Sequence, residues 1–230
     1  MHLNLLSGGA AKGLVAAMQP AFTAATGCEL HSTFSAVGAM KDKLLAGEPC
    51  DVVILTAALI DALARDGHLV SSTVAPLGAV PTGVAVRTRD PRPDVSNGDA
   101  LRRSLLASSD VYVPDPERST AGIHVMNVLR SLGIDADVAP CLRAFPNGAT
   151  AMAELSRTRE PRSIGITQVS EIITTPGVEL VGALPRGFEL ATVYSAAVCT
   201  KAREPDLAQR FAKLLAGPDA GAARTRAGFE

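Results

Sequence analysis

The chain of 230 residues contains no tryptophan, and aromatic residues make up only 3% of it. Its 22 basic and 23 acidic residues are interspersed and give a net charge of −1. Neither a basic stripe nor a stacking platform of aromatic rings is present, which argues against a nucleic-acid partner and favours a small ligand. The apolar fraction of 47% is enough for a sizeable core, built mostly of Ala, Val, Leu and Ile.

Cysteines are few and widely spaced: Cys28, Cys50, Cys141 and Cys199. They form no C-x-x-C pair, and their spacing does not fit a zinc site, so we expect no metal and no cofactor. Cys28, Cys50 and Cys199 lie in or beside apolar runs, which is typical of buried reduced thiols. A catalytic cysteine is the minor alternative, because no neighbouring feature predicts a lowered pKa of a thiol.

Long hydrophobic runs are also absent, since none approaches the roughly 20 residues that span a bilayer. The first residues show no basic segment, apolar segment or small-residue cleavage site of a secretory leader. We therefore expect no membrane insertion and a cytoplasmic location. A periplasmic location, with a membrane transporter as partner, is expected instead if the natural chain is longer and exported.

The first 80 residues alternate between apolar runs, Gly- or Ser-containing turns and Ala-rich helical segments. This order predicts β-α-β-α-β-α, and therefore a parallel sheet with its ligand at the carboxyl ends of the strands. The predicted strands are 3–6, 29–34 and 51–55; the turns are 7–9, 35–38 and the one at Thr56; and the helices are 10–25, 39–46 and 57–66.

The turn Ser7-Gly8-Gly9 opens the first helix, so unpaired backbone amides and the helix dipole favour an anion there. Glycines let such a ligand approach the backbone closely. A plain connection between strand and helix is the alternative interpretation. The turn is neither a P-loop nor a dinucleotide fingerprint, because both glycine patterns are absent.

Two long extended stretches, about 79–87 and 189–199, are predicted to be hinge strands that cross between two lobes. Lobe 1 would contain residues 1–80 and 196–230, and lobe 2, residues 84–190, would be inserted within it. Lobe 2 is predicted to contain three further turns that lead from a strand into a helix. Its turns contain Arg118 to Gly122, Asn147 and Gln168.

With these turns placed, the chain resembles the molybdate-binding branch of the type II periplasmic substrate-binding proteins over nearly its whole length. The most distinctive matching segment is A-G-E-P-C-D-V-V-I at residues 46–54. The resemblance implies an α/β, two-lobed, type II fold, in which each lobe is a sheet flanked by helices and two crossing strands join the lobes. It also implies a small anion held in the cleft between the lobes.

The family's molybdate site, carried over by resemblance, uses serine hydroxyls in the first two turns and a tyrosine in the last. Those positions match Ala10, Val37 and Gln168 here, and the methyl and isopropyl groups of Ala10 and Val37 leave oxygens of an oxyanion without donors. The segments S-G-G at 7–9, G-E-P at 47–49 and Q-V-S-E at 168–171 also resemble bacterial aconitate isomerases. We therefore expect a di- or tricarboxylate ligand and an isomerase that shifts a proton; a transporter's solute-binding protein or a sensor for an oxyanion such as molybdate is the alternative.

The candidate residues have ordinary structural alternatives beside these roles. Arg118 offers a carboxylate a bidentate fork, or it is a solvated loop arginine. Ser119, Thr120 and Asn147 bind the ligand, or they only cap helices. The ligand-binding candidates are Ser7, Gly8, Gly9, Gly38, Thr56, Arg118, Ser119, Thr120, Ala121, Gly122, Asn147 and Gln168. The catalytic base is left open among Glu117, His124 and Lys41, with Glu171 and Lys12 as further candidates.

Overall fold

A computed structural model describes residues 1–230, and the chain divides into two compact units. Unit 1 comprises Met1–Val80 and Val193–Glu230, and unit 2 comprises Pro81–Thr192. The chain passes twice between the units, each time within an extended segment. None of its helices combines the length and the apolar character that crossing a membrane demands.

Nine strands and ten helices follow one another in a mixed order that confirms the α/β class. In chain order they are β1 (His2–Gly8), α1 (Lys12–Thr26), β2 (Glu29–Ser35), α2 (Val37–Leu45), β3 (Val52–Thr56), α3 (Ala57–Arg65), β4 (Ala75–Arg87), α4 (Gly98–Leu106), β5 (Val111–Pro114), α5 (Thr120–Ser131), α6 (Asp135–Val138), β6 (Leu142–Phe145), α7 (Gly148–Arg157), β7 (Ile164–Gln168), α8 (Val169–Ile173), β8 (Val178–Ala183), β9 (Ala191–Val198), α9 (Pro205–Ala216) and α10 (Gly221–Arg226).

The sheet of unit 1 has the order β2-β1-β3-β9, with β1 parallel to both of its neighbours. The parallel arrangement predicted for the first three strands is therefore confirmed. The fourth strand, β9, runs antiparallel to β3 and pairs Tyr194 with Thr56. Strand β3 is buried from Val52 to Leu55, as its run of apolar residues predicts for a central strand.

The helices of unit 1 pack apolar faces that recur at helical spacing. Leu14, Met18 and Phe22 of α1 are buried, and the ring of Phe22 meets that of Phe211 in α9 at a centroid distance of 4.9 Å. Helix α2 begins at Val37, two residues before the predicted start, so Gly38 lies in its first turn and not in the preceding loop.

Unit 2 has its own mixed sheet, in which β5 lies between β6 and β7 and is parallel to both. Strand β4 runs antiparallel to β7 and β8 and pairs Thr82 with Gln168. Two apolar clusters cover this sheet; one contains Leu101, Leu129 and Ile166, and the other contains Met152 and Leu155.

A buried carboxylate, Asp51, links three segments of unit 1. Its Oδ2 accepts hydrogen bonds from the backbone N–H of Asn4 at 2.7 Å and from the Asn4 side chain at 3.3 Å. Its Oδ1 accepts from the backbone N–H of Arg203 at 2.6 Å. Asp51 is only 1% exposed, so these donors would be left without partners if the carboxylate were removed.

We expect Asp51→Ala to lower the free energy of unfolding by about 2–4 kcal/mol, because it removes a buried carboxylate that accepts backbone hydrogen bonds from two segments. Urea unfolding followed by circular dichroism measures this loss. The matched control is Asp61→Ala, since Asp61 is an exposed aspartate on α3 and should change stability by less than about 0.5 kcal/mol. Equal stabilities for the two variants would contradict this role of Asp51.

Candidate functional site

The ligand-binding candidates of unit 1 converge at one edge of its sheet. Gly8 pairs with Ser35 across β1 and β2, and Ser7 pairs with Ile54 across β1 and β3. The parallel strands therefore end side by side, and the starts of α1, α2 and α3 follow at that edge. The structure thus brings together Ser7, Gly8, Gly9, Gly38 and Thr56.

Side-chain hydroxyls at this edge are already engaged within the protein. Ser7, which is fully buried, donates from Oγ to the carbonyl of Gly8 at 2.9 Å. Thr56 caps α3, where its Oγ1 accepts from the N–H of Leu59 at 3.4 Å. The edge of unit 1 therefore offers a ligand backbone amides more readily than hydroxyls.

Apolar side chains line the same edge. A Cβ at Gly8 would lie 2.7 Å from Cγ1 of Val37 and 3.3 Å from the Tyr194 ring, so only glycine permits this packing. Val37 and Ala10 are 6% and 3% exposed. Tyr194 was not among the sequence candidates; its pairing with Thr56 brings it to this edge, a contact that depends on β9, which is distant in sequence.

In unit 2 the carboxyl ends of β5, β6 and β7 also lie side by side. Pro114 pairs with Phe145, and Tyr112 pairs with Gly165, so Gln168 ends β7 near the end of β5. The loop 115–119 and the residues Asn147 and Gln168 follow these three strands directly. The structure therefore brings the second group of candidates together at one edge of unit 2.

The loop after β5 satisfies part of its own backbone. Asp115 Oδ1 accepts from the N–H groups of Glu117 at 2.8 Å and Arg118 at 3.0 Å. Both of those side chains are exposed. The Asp115 carboxylate thus shapes the loop that presents Arg118, and it takes two amides that a ligand could otherwise use.

The start of α5 follows this loop. Ser119 Oγ accepts from the N–H of Gly122 at 3.4 Å and caps the helix, as its ordinary role predicts. A Cβ at Gly122 would collide with the carbonyl oxygen of Asp115, so this glycine is needed for packing. The amides of Thr120 and Ala121, also in the first turn, have no partner within the helix.

The start of α7 is occupied by the protein's own groups. Asn147 Oδ1 accepts from the N–H of Thr150 at 2.9 Å and from its hydroxyl at 3.0 Å. The Glu171 carboxylate packs against Gly148 and accepts from Thr167 Oγ1 at 2.6 Å. Burial raises the pKa of Glu171, while Thr167 and the amides of Ala149, Gly148 and Gln168 oppose that rise. Glu171 thus fills the anion position that this helix start creates.

Buried polar atoms without hydrogen-bond partners lie around Gln168. Its Nε2 donates to Thr192 Oγ1 at 3.1 Å, but its Oε1 has no partner. The same holds for Thr82 Oγ1 and Ser170 Oγ, and all three residues are at most 3% exposed. Thr82 and Gln168 are register partners, so their side chains share one face of the sheet. Thr82 and Thr192 were missed from the sequence because only the tertiary structure makes them neighbours of Gln168, whereas Ser170 lies two residues after Gln168 and was not singled out.

The candidate bases differ in their surroundings. Glu117 is exposed on the loop after β5, and Lys41 is half-buried on α2 of unit 1. His124 on α5 is half-buried, with Nε2 2.8 Å from the carbonyl oxygen of Phe188, so this nitrogen carries the proton and donates. Glu171 is engaged as described, and Lys12 is exposed at the start of α1.

The chain contains no group of three or more His, Cys, Asp or Glu side chains arranged to hold a metal ion. Besides the carboxylates of Asp115, Glu117 and Glu171, the polar groups at the two strand edges are amides, hydroxyls and an arginine. Such groups donate hydrogen bonds to oxygen atoms of an anion and are poor metal ligands.

Comparison with known proteins gives consistent matches along the chain. Residues 3–230 match the family described as "Bacterial extracellular solute-binding protein". An aconitate isomerase of Pseudomonas sp is 29% identical over 240 residues, which cover 99% of this chain and 87% of the relative. The molybdate-binding protein ModA of Escherichia coli (strain K12) is 26% identical over 235 residues, with coverages of 96% and 86%.

Solved structures give the same fold. The periplasmic molybdate-binding protein of Azotobacter vinelandii superposes with a TM-score of 0.82 at 16% identity, covering 99% of this chain and 98% of the other. The predicted two-lobed, type II fold is thereby confirmed. At this identity the likeness concerns the fold and leaves the ligand to be argued from the side chains.

Glu171 should give the stability of the chain a measurable pH dependence. The unfolded chain releases this proton near the ordinary value of 4.5, whereas the folded chain holds it to higher pH because the carboxyl group is buried. The folded state then binds more protons, so the free energy of unfolding falls as pH rises through this window. Glu171→Gln replaces the carboxyl group with an amide that does not titrate. The free energy of unfolding of this variant should therefore not show this fall with rising pH.

Urea unfolding of the wild type and of Glu171→Gln, from about pH 4 to about pH 8, measures the difference between the two profiles. The control is Glu179→Gln, because Glu179 is exposed on β8 and this variant should keep the wild-type profile. Parallel profiles for the wild type and Glu171→Gln would contradict the raised pKa of Glu171.

Proposed function

We propose a ligand and an activity for this chain, which belongs to the bacterial extracellular solute-binding proteins: it binds a small di- or tricarboxylate and shifts a proton on it. The observation that carries the proposal is the group of buried, unpartnered polar atoms around Gln168 at the strand edge of unit 2. A buried polar atom without a partner costs about 1–3 kcal/mol, a cost that a bound ligand with matching groups removes.

The amide of Gln168 suits a planar carboxylate. Because the Thr192 hydroxyl both donates and accepts, turning the amide over keeps the bond to Thr192 and directs Nε2 towards the ligand. Nε2 then donates to a carboxylate oxygen, and the hydroxyl of Thr82 on the same face donates to another. These neutral donors sit in a buried setting, where hydrogen bonds to a charged group are strong.

Arg118 supplies the positive charge. Its backbone is fixed by Asp115, while its side chain is exposed on the loop that follows β5. A guanidinium group binds a carboxylate through two parallel hydrogen bonds, and the amides of Thr120 and Ala121 add donors at the start of α5. We propose that Arg118 binds one carboxylate of the ligand and Gln168 with Thr82 bind another.

The proposed reaction moves a proton across three carbons of an unsaturated tricarboxylate such as aconitate. A base removes a proton from the methylene carbon beside a carboxylate, the electrons shift through the double bond, and a proton returns at the far carbon. Negative charge spreads onto carboxylate oxygens during the shift, and Arg118 stabilises it there. We propose Glu117 as the base, because it lies on the loop of Arg118, whereas Glu171 and the Nε2 of His124 are already engaged.

The similarity to ModA and to the molybdate-binding protein of Azotobacter vinelandii favours a second candidate, a receptor or sensor for an oxyanion. The apolar, buried Ala10 and Val37 at the edge of unit 1 weigh against it, since a tetrahedral oxyanion needs donors around all its oxygens. The two candidates differ in what they bind and in whether the ligand is changed.

Binding should depend on the side chains named above. We expect calorimetry to show trans-aconitate binding to the wild type, and Arg118→Ala and Gln168→Ala to weaken it by about tenfold or more through lost hydrogen bonds to charge. Arg130→Ala is the matched control, because Arg130 is an exposed arginine near the end of α5 and should leave the affinity unchanged.

Tight binding of molybdate with none of aconitate would overturn the proposed ligand class and support the oxyanion receptor. Unchanged affinity in Arg118→Ala would remove that arginine from the site and leave the ligand class standing. Thermal unfolding of each variant without ligand separates lost binding from lost folding.

Turnover needs a separate measurement. Proton NMR in deuterated buffer should show trans- and cis-aconitate interconverting with uptake of solvent deuterium, because the removed proton exchanges before it returns. Glu117→Gln should slow this exchange by about a hundredfold or more while trans-aconitate still binds. Binding with no interconversion by the wild type would reject the isomerase and leave a binding protein for carboxylates.

A further inference from the structure

Two cysteines lie together at the end of the unit 1 sheet that is opposite to the strand edge described above. Cys50 precedes β3 and Cys199 follows β9, and these two strands run antiparallel. The N–H of Cys199 donates to the carbonyl of Asp51 at 3.0 Å, so Cys199 lies across from the residue next to Cys50. The backbone of Cys199 is thus one residue away from that of Cys50, and both cysteines line the same cavity.

The two thiols contact each other directly. Cys50 Sγ donates to the carbonyl of Val52 at 3.1 Å, and the Cys199 thiol hydrogen-bonds to Cys50. That bond, followed by burial and the charge of Asp51, raises the pKa of Cys199, so its thiol keeps its proton as the donor. Cys50 is the less buried of the two residues, so we take it as the sulfur that a reagent reaches first, with Cys199 as its resolving partner.

Both cysteines line a cavity of about 240 Å³. Lys201 and Arg203 line it together with His68 and one carboxylate, that of Glu48, so cationic groups outnumber anionic ones in its lining. The Cys50 and Cys199 side chains are themselves buried, at 7% and 3% exposure. The cavity therefore gives a small anionic reagent access to a dithiol that is otherwise covered.

We propose that Cys50 and Cys199 are a redox-active pair, which forms an intrachain disulfide by exchange with a small anionic disulfide such as oxidised glutathione. The Cys50 thiolate attacks one sulfur of the reagent, forms a mixed disulfide and releases one glutathione thiolate. Cys199 then loses its proton, attacks the Cys50 sulfur and releases the second glutathione. Two protein thiols are oxidised, the reagent is reduced to two thiols, and the protein's two protons pass to them.

The Cys50–Cys199 disulfide would cross-link two strands of unit 1. It closes a chain segment that includes all of unit 2 and ties β3 to β9 at the end remote from Thr56 and Tyr194. Closing so long a loop restricts the unfolded chain, so the oxidised form should be more stable. The ligand-binding residues proposed above lie elsewhere, so this inference is independent of the proposed function.

The test uses the full chain, fully reduced and then incubated with oxidised glutathione before the remaining thiols are alkylated. Intact mass should show the loss of two hydrogens and the alkylation of two thiols instead of four. Peptide mapping should identify the Cys50–Cys199 link, and the thermal midpoint should rise by about 5–10 °C. Because mapping is done on the wild type, it does not depend on any variant folding.

Cys50→Ser and Cys199→Ser should each abolish the link, while Cys28→Ser and Cys141→Ser are matched controls that should retain it. Far-UV circular dichroism verifies that each variant is folded. Persistence of all four free thiols, a glutathione adduct that never resolves, or a link that involves Cys28 or Cys141 would each overturn the proposal.

Discussion

Parallel strands impose the constraint on which the rest of this structure depends. Two neighbouring parallel strands require a crossover, and here helices supply it between β1, β2 and β3 and again between β5, β6 and β7. Every carboxyl end then meets a helix start at one edge. Backbone amides accumulate there because the first turn of a helix leaves its N–H groups unpaired. An anion-binding tendency is thus a consequence of topology in both units.

Some of these backbone amides are already bound by the protein's own side chains. The Asp115 carboxylate takes the amides of the loop after β5, and Glu171 occupies the start of α7. Ser119 and Asn147 serve as helix caps, so side chains that look like ligand donors hold the fold instead. Few side chains, such as Arg118 and Gln168, are consequently left to distinguish one ligand from another. A tetrahedral oxyanion needs hydrogen-bond donors around all its oxygens, whereas a carboxylate has only two oxygens to satisfy. The apolar edge of unit 1 therefore suits an oxyanion poorly.

The opposite end of the unit 1 sheet has a different chemistry. Asp51 gathers backbone donors from β1 and from the chain after β9. Its two neighbours in space, Cys50 and Cys199, line a cavity at this end. Through Asp51, the segment A-G-E-P-C-D-V-V-I therefore has an architectural role. A short motif shared with relatives can mark a structural junction as readily as a binding site.

The local sequence was sufficient to determine the α/β class, the parallel strands β1, β2 and β3, and the helix starts beside Ser7, Ser35 and Thr56. These features depend on the spacing of apolar residues and on the positions of glycines, which can be read from a few neighbouring residues. The local sequence also located the turns around Arg118, Asn147 and Gln168. Tertiary structure alone decided that Thr82 and Thr192 join Gln168, that Glu171 fills the start of α7, and that Cys50 touches Cys199. These contacts join residues that are far apart in sequence or in different elements, so only strand pairing and packing bring them together.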